Sequence, residues 1–167
     1  MKKTEIREAT PSDREEISKL SRDTIIKFNS NDYNQEQIQV WSRQAAQESF
    51  WKNQFDMLWI WVANEPSSRA CSDTKPILGF IELSPEGEIH CFYVHKEAQG
   101  QGVASQLMDF ICDWAVGHGI YEIFANVSVT ARPFFEKMEF EVVKTQVREL
   151  EGQAFRQFRM KRRLAEA

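Results

Sequence analysis

Gly100 and Gly102 stand two apart in the stretch FYVHKEAQGQGVASQLMDF, residues 92–110, where an apolar run gives way to a polar turn and then to a helical stripe. Where a strand hands over to a helix through glycines, two features coincide. The helix N-terminus presents unpaired N–H groups and about half a positive charge, and the missing side chains let a bulky anion approach them. The chemistry on offer is a phosphate or pyrophosphate cradle. A P-loop needs G-x-x-x-x-G-K-[ST], which this sequence lacks. A dinucleotide fingerprint needs a third glycine where Ser105 stands, and an acid near the end of the next strand; Glu122 is about the right distance along but begins that strand. Both fit poorly. His90, His95 and His118 form no i, i+4 pair, and Cys71, Cys91 and Cys112 are widely spaced without a CxxC, so neither a metal site nor a disulfide framework is expected.

The elements that must hold this turn follow from the pattern of the chain. A short strand around Ile6 precedes a helix with Thr10 as N-cap, Pro11 at the first helical position and Asp13 as capping acid; Ile17, Leu20, Thr24 and Phe28 share its inner face. The spacing predicts a second helical region over residues 35–53, with Ile38, Trp41 and Ala45 inward, and a strand over DMLWIWVAN. The segment EPSSRACSDTKP reads as an exposed loop. ILGFIEL and EIHCFYVH form a hairpin through SPEG. The helix after the glycines buries Val103, Ala104, Leu107, Met108, Ile111 and Ala115. A strand (IYEIFANVSV), a short helix (ARPFFEKM) and a hairpin turning at Glu151-Gly152 complete the order. That order predicts an α/β (α+β) fold, with a mixed sheet of about seven strands flanked by about four helices.

The 167 residues suit one domain spanning 1–167. A net charge of −4 argues against nonspecific nucleic-acid binding, and the basic run RQFRMKRR reads as a solvated strand face. No signal segment or apolar run of ~20 residues is present, so no membrane association is expected, and a reducing cytoplasm is the default compartment.

QGQGVA, Gln99 to Ala104, resembles the acyl-coenzyme A pyrophosphate loop of the GNAT superfamily of N-acetyltransferases, [QR]-x-x-G-x-[GA]. CFYVHKEA looks like that family's fourth strand running into the loop. ARPFFEKMEF is similar to its A-x-x-F-Y-x-x-x-G-F segment, and IREATPSDREEI to its usual opening. The resemblance covers nearly the whole chain in the expected order. It implies a single GNAT-type domain and a transferase using acetyl-CoA as co-substrate, without a metal, on an amine of a small molecule or a protein. A homodimer is compatible with it.

Residue by residue, the resemblance implies that backbone N–H groups of Gln99, Gly100, Gln101, Gly102, Val103 and Ala104 hold the pyrophosphate. Phe92 and Val94 would pair with the pantetheine arm as with an added strand, and the Val94 N–H would serve as oxyanion donor. Asn126 and Ser128 end the fifth strand, where the family lets two strands part; Asn126 could bond the pantetheine amides. Phe134 and Lys137 match positions flanking the cofactor's distal part. An alkyl amine, with a pKa near ~10.4, must lose a proton before it attacks, and Glu82, Glu88 and His90 are the candidates to take it, with Glu82 and His90 the preferred pair. Tyr93 alternates with Phe92 and Val94, faces the other side of the sheet, and is left out of that choice.

Two residues depart from the pattern. Phe135 stands where the family has the tyrosine that protonates the leaving thiolate, and it has no proton to give. A non-catalytic acyl-CoA-binding or regulatory module with the same fold is therefore the alternative. Glu139 stands where a glycine is usual, at a cost of about 1 kcal/mol if the backbone there is left-handed. Trp41, Trp51, Trp59 and Trp61 could line an acceptor cleft and hold a cationic amine, but they read first as core. Asp32, Glu36 and Glu48 could attract a basic acceptor.

Overall fold

The structure, a computed structural model, describes residues 3–66 and 75–165; most of the expected loop over residues 65–76, Cys71 included, lies outside them. β1 (Glu5–Glu8) leads into a 3-10 turn (Pro11–Asp13) and α1 (Arg14–Phe28). The expected cap is present. The Thr10 N–H donates to Asp13 Oδ2 at 2.7 Å, and Arg7 clamps the same carboxylate with two bonds of 2.9 Å. That guanidinium holds the Asp13 carboxyl below its ordinary pKa. Ile17, Leu20 and Thr24 are buried on the inner face of α1.

The region expected as one helix over residues 35–53 is two, α2 (Gln35–Ala45) and α3 (Glu48–Met57), which brings the α-helices among the described residues to five rather than about four. The break comes from tertiary bonds. The Ala45 carbonyl accepts from the Ser18 hydroxyl at 2.7 Å and from the Trp51 indole N–H at 2.8 Å, not from a following helical turn. α3 also takes up Asp56 and Met57, so β2 runs only from Trp59 to Asn64.

β3 (Ile77–Leu83) and β4 (Glu88–Val94) form the expected hairpin. Its Gly87 has φ 90°, and a Cβ there would lie 2.6 Å from the Glu122 carbonyl oxygen. α4 (Val103–Gly117), β5 (Glu122–Ser128), α5 (Arg132–Lys137), β6 (Glu141–Leu150) and β7 (Gln153–Arg163) follow. The seven strands of the described residues form one sheet in the order β1-β2-β3-β4-β5-β7-β6, antiparallel except for β4 beside β5. α4 packs Val103, Leu107 and Ile111 onto one face, against Ile81, Leu83 and Ile123. On the other face Ile17, Leu20 and Trp51 cover Ile60, Val62 and Phe80. The basic run lies along β7, where Arg159 pairs with Glu88, Lys161 with Glu122 and Arg162 with Glu139.

Glu139 does adopt a left-handed backbone, φ 65°. Its carboxylate reaches Arg162 at 2.9 Å, but the side chain is mostly exposed, where an ion pair contributes little. Glu139→Gly should therefore raise stability by roughly 0.5–1 kcal/mol, read as a higher urea midpoint at unchanged slope.

Candidate active site

β4 and β5 pair only at Glu88–Phe124 and Ile89–Ala125, after which they part. β5 is held back by its other neighbour, being registered with β7 over all of Glu122–Ser128. β4 continues along β3, and just past its end the His95 N–H donates to the Leu78 carbonyl at 2.8 Å. Alternation along an antiparallel strand then turns the N–H groups of Val94 and Phe92 away from β3, toward the gap. The Val94 carbonyl faces the same way and accepts from Thr24 Oγ1 at 3.2 Å and Gln99 Nε2 at 2.9 Å. Those two bonds fix the end of β4 to both α1 and the glycine turn.

The turn has the form that an anion needs. Gly100 (φ 72°) and Gly102 (φ 84°) are both left-handed, and Gly102 caps α4 without a side chain over the helix end. The first intrahelical bond from this cap is Gln106 N–H to the Gly102 carbonyl, at 3.1 Å. The amides of Val103, Ala104 and Ser105 thus point out of the helix N-terminus. A Cβ built on Gly100 would meet nothing within 4 Å. Gln99 and Gln101 turn their amides back onto the carbonyls of Val94 and Glu97 and leave the turn uncovered. These residues fit a diphosphate.

A cavity of about 700 Å³ runs from this turn through the gap to the α1–α3 side of the sheet. Phe92, Val94, Gln99, Ala104, Asn126, Ser128 and Phe134 line it. Phe92 packs on Phe134 with centroids 5.6 Å apart. Asn126 brings a side chain that is already engaged: its Oδ1 accepts from Gln146 at 2.9 Å and Arg159 at 3.1 Å. Ser128 Oγ accepts from the Ala131 N–H at 3.1 Å. Lys137 is exposed on α5, away from the cavity wall.

The candidate bases separate. His90 lines the cavity, with Nε2 3.9 Å from Glu88 Oε2. Glu88 is bound to Arg159 at 2.6 Å. Glu82 does not line the cavity: it is 0% exposed, one layer behind the wall. Gln54 Nε2 donates to Glu82 Oε2 at 3.0 Å, while Oε1 has no hydrogen-bond partner. Burial pushes the Glu82 pKa up to about 8, against smaller opposing effects from Cys91 and Gln54. Cys91 and Gln54, which contact Glu82, do line the cavity. Burial raises the Cys91 thiol and the Tyr93 phenol well above their ordinary values.

Sequence reasoning missed Gln54, Cys91, Tyr93 and Arg148 as cavity residues. Tyr93 does face away from Phe92 and Val94, as expected, but the cavity reaches that side of the sheet too, where Cys91 stands beside it. Glu82 and Cys91 meet where the register of β3 against β4 shifts, between Ile81 and Leu83, a bulge with no signal in the residues themselves. Of the four tryptophans, Trp41 and Trp51 line the cavity, whereas Trp59 and Trp61 pack their rings, tilted, against Trp114 of α4. Asp32, Glu36 and Glu48 are not among its lining residues. Phe135 is buried among Phe92, Phe134 and Phe140.

The acetyltransferase (GNAT) domain family matches residues 29–164. The chain belongs to the GNAT acetyltransferase family. It is 29% identical to the uncharacterized N-acetyltransferase YafP of Escherichia coli K12 over 161 residues, 96% of this chain and 97% of YafP. In fold it is similar to a GCN5-related N-acetyltransferase of Rhodopseudomonas palustris (TM-score 0.87, 21% identity, 98% of each chain). It is also similar to the PaiA N-acetyltransferase of Thermoplasma acidophilum, solved with coenzyme A (TM-score 0.70, 19% identity, 96% of this chain and 99% of that one). This GNAT chain has, among the described residues, no helix long and apolar enough to cross a membrane.

Proposed function

We propose that the protein is an N-acetyltransferase that moves an acetyl group from acetyl-CoA to a primary amine by direct attack. The observation that carries the reading is the alignment of two features along one cavity with a third directly behind its wall. The bare amides at the start of α4, the Val94 N–H in the gap between β4 and β5, and the buried Glu82 beyond it follow one another along the path a thioester carrier would take. Gln99 to Ala104 hold the diphosphate, and Phe92 and Val94 take the arm as an added strand. The amine nitrogen bonds to the acetyl carbon while the Val94 N–H stabilises the negative oxygen, and the carbon–sulfur bond then breaks. The proton leaving nitrogen goes through the Cys91 thiol, which passes its own to Glu82; His90 is the other group able to receive it. Sulfur departs as thiolate, which a thiol of pKa near ~8.5 does without an acid at Phe135.

Acetyl-CoA should raise the melting temperature by several degrees, more than NAD or ATP does, and an amine panel should then release thiol. A ligand present at about 100 times its Kd stabilises by about 2.7 kcal/mol. No shift with acetyl-CoA would end the proposal. The burial of Phe135, with no hydroxyl to offer, favours a second reading, a non-catalytic acyl-CoA-binding module. Under that reading acetyl-CoA still stabilises, no amine releases thiol, and Glu82→Gln and His90→Ala leave the behaviour unchanged.

A further inference from the structure

We infer that the acceptor is a small amine that also carries an anion, a carboxylate or a phosphate, and that Arg148 holds that anion across the cavity from β4. The inference rests on the acetyltransferase reading and names the class of its acceptor.

The argument is one of charge. Among the described residues that line the cavity, the formal charges at neutral pH are Glu88 and Arg148, with His90 as the one imidazole. Glu88 is already matched, because Arg159 Nη1 holds its Oε1 at 2.6 Å. Arg148 is not. Its bond among the described residues is a long one, Nη2 to Gln44 Oε1 at 3.4 Å, and no carboxylate lies within ion-pair distance. Glu151, an acid close by in sequence, is taken by Arg43 at 3.2 Å. The cavity therefore has an unmatched positive charge in its wall.

That charge stands on the open side of the cavity: Arg148 is exposed, and it also lines the cavity wall. Arg148 lies on β6 and reaches over β7 toward α2 and β4, where its field favours the ionised forms of Cys91 and Tyr93. Gln44 and Gln157 flank it with neutral amides, and Trp41 and Tyr93 supply flat apolar walls nearby. A guanidinium presents paired donors in the geometry of a carboxylate or phosphate edge, so an anion seated there is both bound and oriented. An acceptor that is only cationic meets an uncompensated positive charge and is disfavoured. One with an anion at its far end is drawn in, with its amine directed toward Val94.

The test compares matched probes on the wild type and on Arg148→Gln. The common α-amino acids are set against their carboxamides, and O-phosphoethanolamine against ethanolamine. Each is assayed for thiol release from acetyl-CoA, and for binding by the melting shift of CoA-loaded protein. The wild type should favour at least one anionic member over its neutral partner by tenfold or more, and the pair that wins says whether the anion is carboxylate or phosphate. Arg148→Gln should raise the KM for that amine by about 10- to 100-fold, leave kcat and the KM for acetyl-CoA nearly unchanged, and abolish the margin over the neutral partner. Arg148→Lys should restore part of it, as a point charge without the fork. Equal treatment of charged and neutral amines by the wild type, or an equal effect of Arg148→Gln on both, overturns the inference. Should no amine release thiol, the acetyltransferase reading is what fails; the binding shift still decides whether Arg148 receives an anion.

Discussion

Glu82→Gln should lower kcat by about 10²- to 10³-fold and remove the rise of rate with pH. The expectation follows from where Glu82 sits. A carboxyl with no exposed surface, one hydrogen bond to Gln54 and one unpartnered oxygen favours its neutral form, and its pKa is pushed up to about 8 by burial. A base must be ionised to accept a proton, so the wild-type rate should climb with pH and level off above about 8. Stability has the opposite slope. The folded pKa lies above the ordinary carboxyl value near ~4.3, so between the two the folded chain binds a proton that the unfolded chain has lost. Stability is then greatest below that window and falls as pH rises through it, by about 1.4 kcal/mol per unit at most. The glutamine variant lacks this slope and should gain on the wild type from pH 5 to 8 in melting temperature. A variant with full kcat and an unaltered pH profile would assign the proton to His90 instead, and His90→Ala would then carry the loss.

The parts of this site that were legible in the sequence are those fixed by backbone chemistry. Gly100 and Gly102 signal left-handed turns because few other residues tolerate them, and both are left-handed. The order of elements on either side placed the turn between a strand and a helix, and the strands parted where the resemblance implied. Glu139 was legible as a conflict, and the conflict is real. What was not legible depends on contacts between distant positions. Residues 35–57 do not by themselves mark a helix break at Ala46, since one of the two bonds that hold the Ala45 carbonyl comes from Ser18 on α1, and the other needs α3 already turned so that the Trp51 indole reaches back. Glu82 was identified as polar on a central strand, but its complete burial is a property of α3 above it, through Gln54. Arg148 is fifty-four or more positions from any β4 residue in the cavity wall, and alternation on its own strand says nothing of what it faces.

Gly100→Val should weaken acetyl-CoA binding by about 100-fold or more while the free protein loses only about 1–2 kcal/mol of stability. The two effects separate because of where the added atoms go. A Cβ at this position has nothing within 4 Å to strike in the free protein, so the cost to folding is that of a branched residue at φ 72°. For a chain of this size that corresponds to a fall of a few degrees in melting temperature, about 2–4 °C per kcal/mol. The space the side chain fills lies over the turn before α4, where a diphosphate must come within hydrogen-bond distance of the amides. Pushing the anion outward forfeits several charge-assisted bonds at once. Gly117→Ala, in the last turn of the same helix and equally open, is the control. It should leave binding untouched and stabilise by up to about 1 kcal/mol through helix propensity. Isothermal titration of acetyl-CoA into the two variants separates the outcomes. Wild-type affinity in Gly100→Val would mean that the carrier docks elsewhere, and the assignment of the Gln99–Ala104 amides would fall with it.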